Sequence, residues 1–308
     1  MSADESAELI APGTGGSTGS EAHGSGAHRS GAHRSGTQKV ETVLFPERRS
    51  FWNPLILSSL MRKESQRFVS EWHEMLLGPL VTTGLFLMIF EVAAGNRVQL
   101  ADSIPLLTFV SAGLISITIV HGAYMFPAAS LIMKRMDGSI SDDLMSPVLA
   151  GEFVAGHCIP NIASALVTGL VVGLVCWATT PLGPFSPVFL LVHVVVGATM
   201  VSAISLIVGL WADKWDKFAA VEGFFLWPLT FLSGAFYSLA QLPEMFATVL
   251  PYTPFFMLVD GIRFGTTGYS EAAPLLGPWG GTAILAVLSA FLLVWGRVLV
   301  RRGYKLKA

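Results

Sequence analysis

Ionisable side chains are scarce along this chain, and several fall inside or at the start of long apolar runs, among them Glu91, His121, Glu152, His157, His193 and Glu222. A charge at the centre of a membrane span costs about 2.5–3.5 kcal/mol on insertion scales, so a retained one is a functional suspect by default. It can bind an ion, pass a proton or line a pathway. Glu222 and Glu91 each sit about one turn from the end of a run, where they can extend to the interface or face a pathway. His121, beside Gly122 near the middle of its run, either bonds a neighbouring helix or relays protons. Glu152 and His157 open another run, facing the loop before it or the headgroups, and His193 is expected at the interface. No acid, base and nucleophile converge at one depth, which argues against an enzyme. The sequence has no GxxxxGK[ST] loop, HExxH or paired-cysteine spacing, and no GxSxG elbow outside the Gly/Ser-rich tail, where the string Gly15–Gly19 is low-complexity. It is therefore not expected to hydrolyse nucleotide through a P-loop or to hold a metal. Cys158 and Cys176 read as small apolar residues.

Two polar features lie outside the runs. In 134–147, Lys134, Arg135, Asp137 and Gly138 precede Ser139 and Ser141, either of which can cap a short helix. Asp142 and Asp143 in its first turn would suit the positive end of the dipole, and Leu144 and Met145 would give it an apolar face. Such a segment is a docking peg for a soluble subunit or a solvated turn, and the residues do not choose between them. The second feature is 218–265, where an apolar run passes into a segment broken by Pro243, Pro251 and Pro254 and ends in Asp260-Gly261-Ile262-Arg263. Broken backbone at membrane depth survives only where protein buries it or a cavity lines it. Here the sequence points to a conduit and not to a simple anchor.

The elements that must position these groups are membrane helices. The 308 residues are 52% hydrophobic and only 13% charged, with a mean hydropathy of +0.61. Runs long enough to cross ~30 Å of hydrocarbon recur along the chain. Six spans are predicted, at 76–94, 104–133, 153–178, 188–211, 218–239 and 279–300. A re-entrant pair of half-helices is placed at 242–265. Before them, 53–74 reads as a basic amphipathic helix lying in the headgroup plane, or as the front of a long first span. Leu57, Met61, Phe68, Trp72 and Met75 share its apolar face, with Arg62, Lys63 and Arg67 elsewhere. Residues 1–50 form a Gly/Ser/His-rich tail, with Gly-Ala-His-Arg-Ser repeated in tandem. The tail has no apolar face, is expected to be disordered, and lacks the hydrophobic core of a signal peptide. Residues 51–308 form the transmembrane domain, so the expected class is an all-α membrane protein.

Positive charge sets the expected orientation. With both termini in the cytosol, the inner side receives Arg48, Arg49, Arg62, Lys63, Arg67, Lys134, Arg135, Lys214, Lys217, Arg301, Arg302, Lys305 and Lys307. The outer loops keep Arg97 and Arg263.

The long second span, the charged 134–147 loop and the block from Pro228 through Phe231, Ser233, Gly234, Phe236, Tyr237, Leu242, Pro243 and Pro254 to Asp260, Arg263 and Gly265 together resemble the ABC-2 type permeases. These are membrane subunits of bacterial exporters for drugs, polysaccharides and lipo-oligosaccharide signals. The resemblance covers roughly 59–303 and leaves the tail without a role. It implies a non-enzymatic permease subunit in the bacterial inner membrane, working as a homodimer with a separate ABC ATPase and in contact with membrane lipid. ATP and Mg would belong to the partner, with no cofactor on this chain, and no nucleic acid is involved. Lys134, Arg135, Asp137, Gly138, Asp142, Asp143 and Leu144 would couple to the ATPase, while Phe231, Phe236, Tyr237, Asp260 and Arg263 would stand at the external gate. The competing expectation is a secondary transporter driven by an ion gradient, against which stands the lack of an internal repeat.

Overall fold

The computed structural model describes residues 53–93, 104–140, 148–271 and 276–304. The tail 1–50, Arg97, Asp142, Asp143, Leu144, Lys305 and Lys307 lie outside the described residues. Those described are helical, without a strand. The helices are α1 (Pro54–Ser70), α2 (Trp72–Ala93), α3 (Leu106–Met136), α4 (Ala150–Thr179) and α5 (Pro187–Trp211), followed by α6 (Trp215–Val221) and α7 (Trp227–Leu232). After these come α8 (Glu244–Val249), α9 (Pro254–Thr267) and α10 (Gly277–Arg301). Five are long and apolar enough to cross a membrane: α3, α4, α5, α10 and the Met75–Ala93 part of α2. The bent pair Glu244–Tyr252 and Pro254–Thr267 makes a sixth if it counts as one span.

Local chemistry sets the breaks. Asn53 caps α1 by accepting from the Leu55 N–H, with Pro54 at the first helical position, where its missing N–H costs nothing. The helix expected over 53–74 ends at Ser70, and Trp72 belongs to α2. The expected fifth span at 218–239 stops short: α6 and α7 are joined through a π-helical turn, Glu222–Leu226, and the rod ends at Leu232. Gly234, with a φ of 76°, turns the chain there, a conformation that glycine adopts without a Cβ clash. Beyond it, α8 and α9 meet at 81°, the broken geometry expected for 242–265. Thr253 caps α9 at the break, with Pro254 beginning the helix.

The core lies along α3, which packs on α4 and α5 and is mostly buried. Pro127 interrupts its ladder and leaves the Ala123 carbonyl without its helical donor. Asn161 of α4 supplies one at 2.6 Å, and Ser205 of α5 donates to Tyr124 O while accepting from the Ala128 N–H. In a membrane, neighbouring side chains must make such repairs because no water is present to do so. Helix α3 also passes very close to the turn after α7. A Cβ on Gly113 would lie 2.1 Å from the Ala235 carbonyl oxygen, and one on Gly261 2.2 Å from the His193 ring.

These approaches predict that Gly113→Ala and Gly261→Ala each lower stability by about 1–3 kcal/mol, the usual cost of overpacking. Gly84→Ala, where the added methyl meets nothing within 4 Å, should leave it unchanged. Thermal unfolding of the detergent-solubilised protein checks all three.

Candidate translocation site

At the basic end of the bundle, a buried polar knot joins three helices. Glu64 of α1 accepts from Lys134 Nζ and Ser130 Oγ of α3, both at 2.9 Å. His157 of α4 stands 3.6 Å from the same carboxylate oxygen and 3.3 Å from the lysine. Burial alone would raise the pKa of Glu64, but His157 and Lys134, with hydrogen bonds from Lys134 and Ser130, hold it below the ordinary value of 4.5. Glu152 extends the junction by accepting from the Asn53 N–H at 2.6 Å and the Leu149 N–H at 3.0 Å, so that it grips the start of both α1 and α4. Glu152 and His157 are thus buried anchors of α1, where the sequence offered the loop or the headgroups.

The residues expected to act in coupling separate here. Lys134 belongs to the knot. Arg135 turns the other way and donates to the Gly209 and Leu210 carbonyls at 2.9 Å each, and to Ala212 O, which fits a cation to the C-terminus of α5. Asp137 caps α3, and Gly138 follows in the left-handed region with a φ of 72°. Arg62 and Lys63 are exposed on α1, Arg67 pairs with Glu71 at 3.4 Å, and Trp72 is exposed at the start of α2.

At the opposite end, Arg263 of α9 is 0% exposed. Its guanidinium lies 3.7 Å over the Phe109 ring of α3, and its Nη2 donates to the Gly234 carbonyl. Nη1 stands 3.9 Å from Asp260 and 3.7 Å from Glu271. Asp260 accepts from Ser270 Oγ at 2.6 Å and the Glu271 N–H at 2.7 Å. Glu271 accepts from Ser238 Oγ, the Leu239 N–H and Tyr269 Oη. One arginine and two carboxylates therefore fasten the turn after α7 to α9 and α3. His193, expected at the interface, is buried within the same half, paired with Thr282 at 2.7 Å and the Leu258 carbonyl at 3.1 Å.

Between the two ends, α2, α3, α6 and α7 enclose a cavity of about 760 Å³. Phe231 and Phe236 line it, as do Trp227 and Phe86. Their rings form a stacked series: Trp227 to Phe231 at 5.5 Å, Phe231 to Phe236 at 5.8 Å, Phe236 to Phe86 at 5.5 Å. Tyr237 donates to the Leu232 carbonyl at 2.7 Å. The five expected gate residues thus divide. Phe231 and Phe236 face the cavity, while Asp260 and Arg263 hold the turn from behind. His121 also lines the cavity, its Nε2 3.3 Å from Glu222 and its ring 4.8 Å from Trp227. The sequence treated His121 and Glu222 separately, and it overlooked Glu64, Ser130, Glu271, Ser238 and Phe109. The distances along the chain left no local signal for these partners.

Two outcomes are expected. Arg263→Gln, which leaves Asp260 and Glu271 without their counter-charge, should lose roughly 3–5 kcal/mol and open 233–253 to protease, with Arg263→Lys intermediate. Glu64 has a folded pKa below its unfolded one, so its contribution is full above about pH 4.5 and fades as acidity carries the pH through the lower, folded value. Glu64→Gln should remove that pH dependence in thermal unfolding followed from pH 6 to 3.

Comparison with known proteins places the chain among membrane permeases. The chain is 28% identical over 258 residues to the inner membrane transport permease YadH of Escherichia coli K12, covering 84% of this chain and 98% of that one. It is 28% identical over 225 residues to nodulation protein J of Sinorhizobium fredii, covering 69% of this chain and 80% of the relative. Against nodulation protein J of Rhizobium leguminosarum bv. trifolii it is 24% identical over 190 residues, 61% and 72% of the two chains. The family model described as ABC-2 type transporter matches residues 57–266 and so takes in most of α1, the knot, the residues lining the aromatic cavity, and Asp260 and Arg263; this chain belongs to the ABC-2 type transporter family.

Proposed function

We propose that this chain is the membrane-spanning subunit of an ATP-driven exporter, working as a homodimer in the bacterial inner membrane and powered by a separate ABC ATPase. The observation that carries the reading is the knot of Glu64, Lys134 and His157. It ties α1 to the end of α3 that precedes residues 141–147, so a push applied there meets a three-helix junction. In this arrangement α1 rests in the headgroups at the cytosolic face with Arg62, Lys63, Arg67 and Trp72, both termini are cytosolic, and Asp142, Asp143 and Leu144 meet the ATPase. The sequence has no nucleotide-binding loop of its own, as befits a subunit that takes its energy from a partner. ATP and Mg then act on that partner, and this chain catalyses no reaction. The Arg263 lock and the Phe231–Tyr237 turn close the outer end. A drug, a lipid-linked glycan or a lipo-oligosaccharide are the cargoes in view.

One observation favours an ion-gradient-coupled transporter instead: the His121–Glu222 pair at membrane depth.

Co-expression with an ABC ATPase subunit from the same organism should yield a stable complex. Asp142→Ala combined with Asp143→Ala should reduce its cargo-stimulated ATPase activity at least about tenfold, the effect of losing ~1.4 kcal/mol of coupling. A protonophore should leave transport in vesicles unchanged. Failure of the ATPase to co-purify would remove the exporter reading, and collapse of transport with the proton gradient would favour its rival.

A further inference from the structure

His121 and Glu222 have no part in holding the bundle's ends, yet they meet across α3 and the π-helical turn. The turn is where the i→i−4 ladder opens by one residue: the Trp227 N–H bonds to the Glu222 carbonyl. Extra residues of this kind in a helix are frequent at functional sites. His121 is half-buried on the cavity wall, and Glu222 reaches the wall through it at 3.3 Å. Among the described residues lining the cavity, the other charged groups are Arg67 and Glu71, already paired with one another at 3.4 Å. An imidazole has an ordinary pKa near 6.5 and is mostly uncharged at neutral pH. The Glu222 carboxyl stands just behind the cavity wall, 3.3 Å from the His121 ring nitrogen that lines it. A carboxyl in apolar surroundings tends to keep its proton, and a cationic ligand that takes the proton's place supplies the charge the carboxylate then needs.

The rest of the wall has the same preference. Aromatic faces are the negative part of the ring quadrupole, and cations over them gain about 0.5–2 kcal/mol each. Trp227, Phe231, Phe236 and Phe86 supply such rings. Hydrogen-bonding capacity is meagre. Of the four wall hydroxyls, those of Thr118 and Thr168 already donate to the helix carbonyls of Leu114 and Ser164, which leaves those of Thr82 and Thr83. A glycan chain would leave its own hydroxyls unsatisfied there, and an anion would meet like charge. At about 760 Å³ the cavity is the size of a drug-like site.

We propose that the cavity between α2, α3 and the α6–α7 rod binds a lipophilic cation, its positive group taken by Glu222 beside His121 and its apolar body by Trp227, Phe231 and Phe236. This rests on the transporter reading above and narrows its cargo to amphipathic amines and related cations, setting glycans aside.

The probes are tetraphenylphosphonium and tetraphenylborate, near-isosteric ions of opposite charge whose ionisation does not change with pH. Equilibrium binding is measured on the full chain in lipid nanodiscs, with empty discs as the background. Saturable binding of tetraphenylphosphonium is expected, at least about tenfold weaker in Glu222→Gln, which is ~1.4 kcal/mol, and retained in Glu222→Asp. Tetraphenylborate should show no saturable binding. The thermal unfolding midpoint of each variant confirms that it is folded. Equal binding by folded Glu222→Gln and the unaltered chain, comparable binding of tetraphenylborate, or no saturable binding of either probe overturns the proposal. Co-purification of the ATPase is scored separately: if it persists while the cation fails to bind, the cargo class alone falls.

Discussion

The half of this protein opposite its basic end depends on one buried guanidinium. Arg263 sits among two carboxylates, a backbone carbonyl and an aromatic face, each contributed by a different stretch of chain. A charge there is tolerable only because it is answered on several sides, and the same requirement fixes where those stretches can go. The turn at Gly234 must bring its carbonyl to the arginine, and Gly113 must have no side chain so that the turn can come close enough. The break before α9 aims Asp260 and Arg263 inward together. A broken helix pair that would otherwise be loose is thereby made part of the bundle.

A second constraint is shared by all the helices: backbone groups released at membrane depth need a protein partner. Pro127 creates that need in α3, and Asn161 and Ser205 meet it. The π-helical turn in the α6–α7 rod solves a related problem differently, because its wider ring keeps the Trp227 N–H bonded while the helix changes phase. The result is an irregular wall in which Glu222 comes next to His121. Polar side chains thus play two roles in the bundle. Some repair the backbone, and others, like His121 and Glu222, meet one another beside the cavity.

The two ends behave differently in consequence. At the basic end the polar groups bind helix to helix, with Glu64, Lys134 and His157 making α1 continuous with α3 and α4 and Arg135 closing the end of α5. At the far end they bind a turn to a helix. Between them the cavity wall is largely apolar, and α3 runs from the knot at Lys134 to the close approach of Gly113 to Ala235.

Composition and periodicity alone gave the membrane class, the long α3, the bent segment after α7 and the concentration of basic residues at one end, because hydrocarbon thickness and the cost of charge in lipid act on local sequence. The block from Phe231 to Arg263 was legible for a similar reason, its prolines and glycines being fixed by backbone geometry. The chain's partners were not legible. Glu64 lies 70 residues from Lys134 and Ser238 33 from Glu271, and nothing local marks either pair. The early end of the α6–α7 rod at Leu232 was likewise missed, since an apolar run does not reveal where a turn held by a distant arginine will interrupt it. The division of the expected gate residues followed from packing as well, for Phe231 and Arg263 share a block in sequence but face opposite sides of the wall. The bilayer reads each segment on its own terms, whereas charge compensation is settled only when the helices have come together.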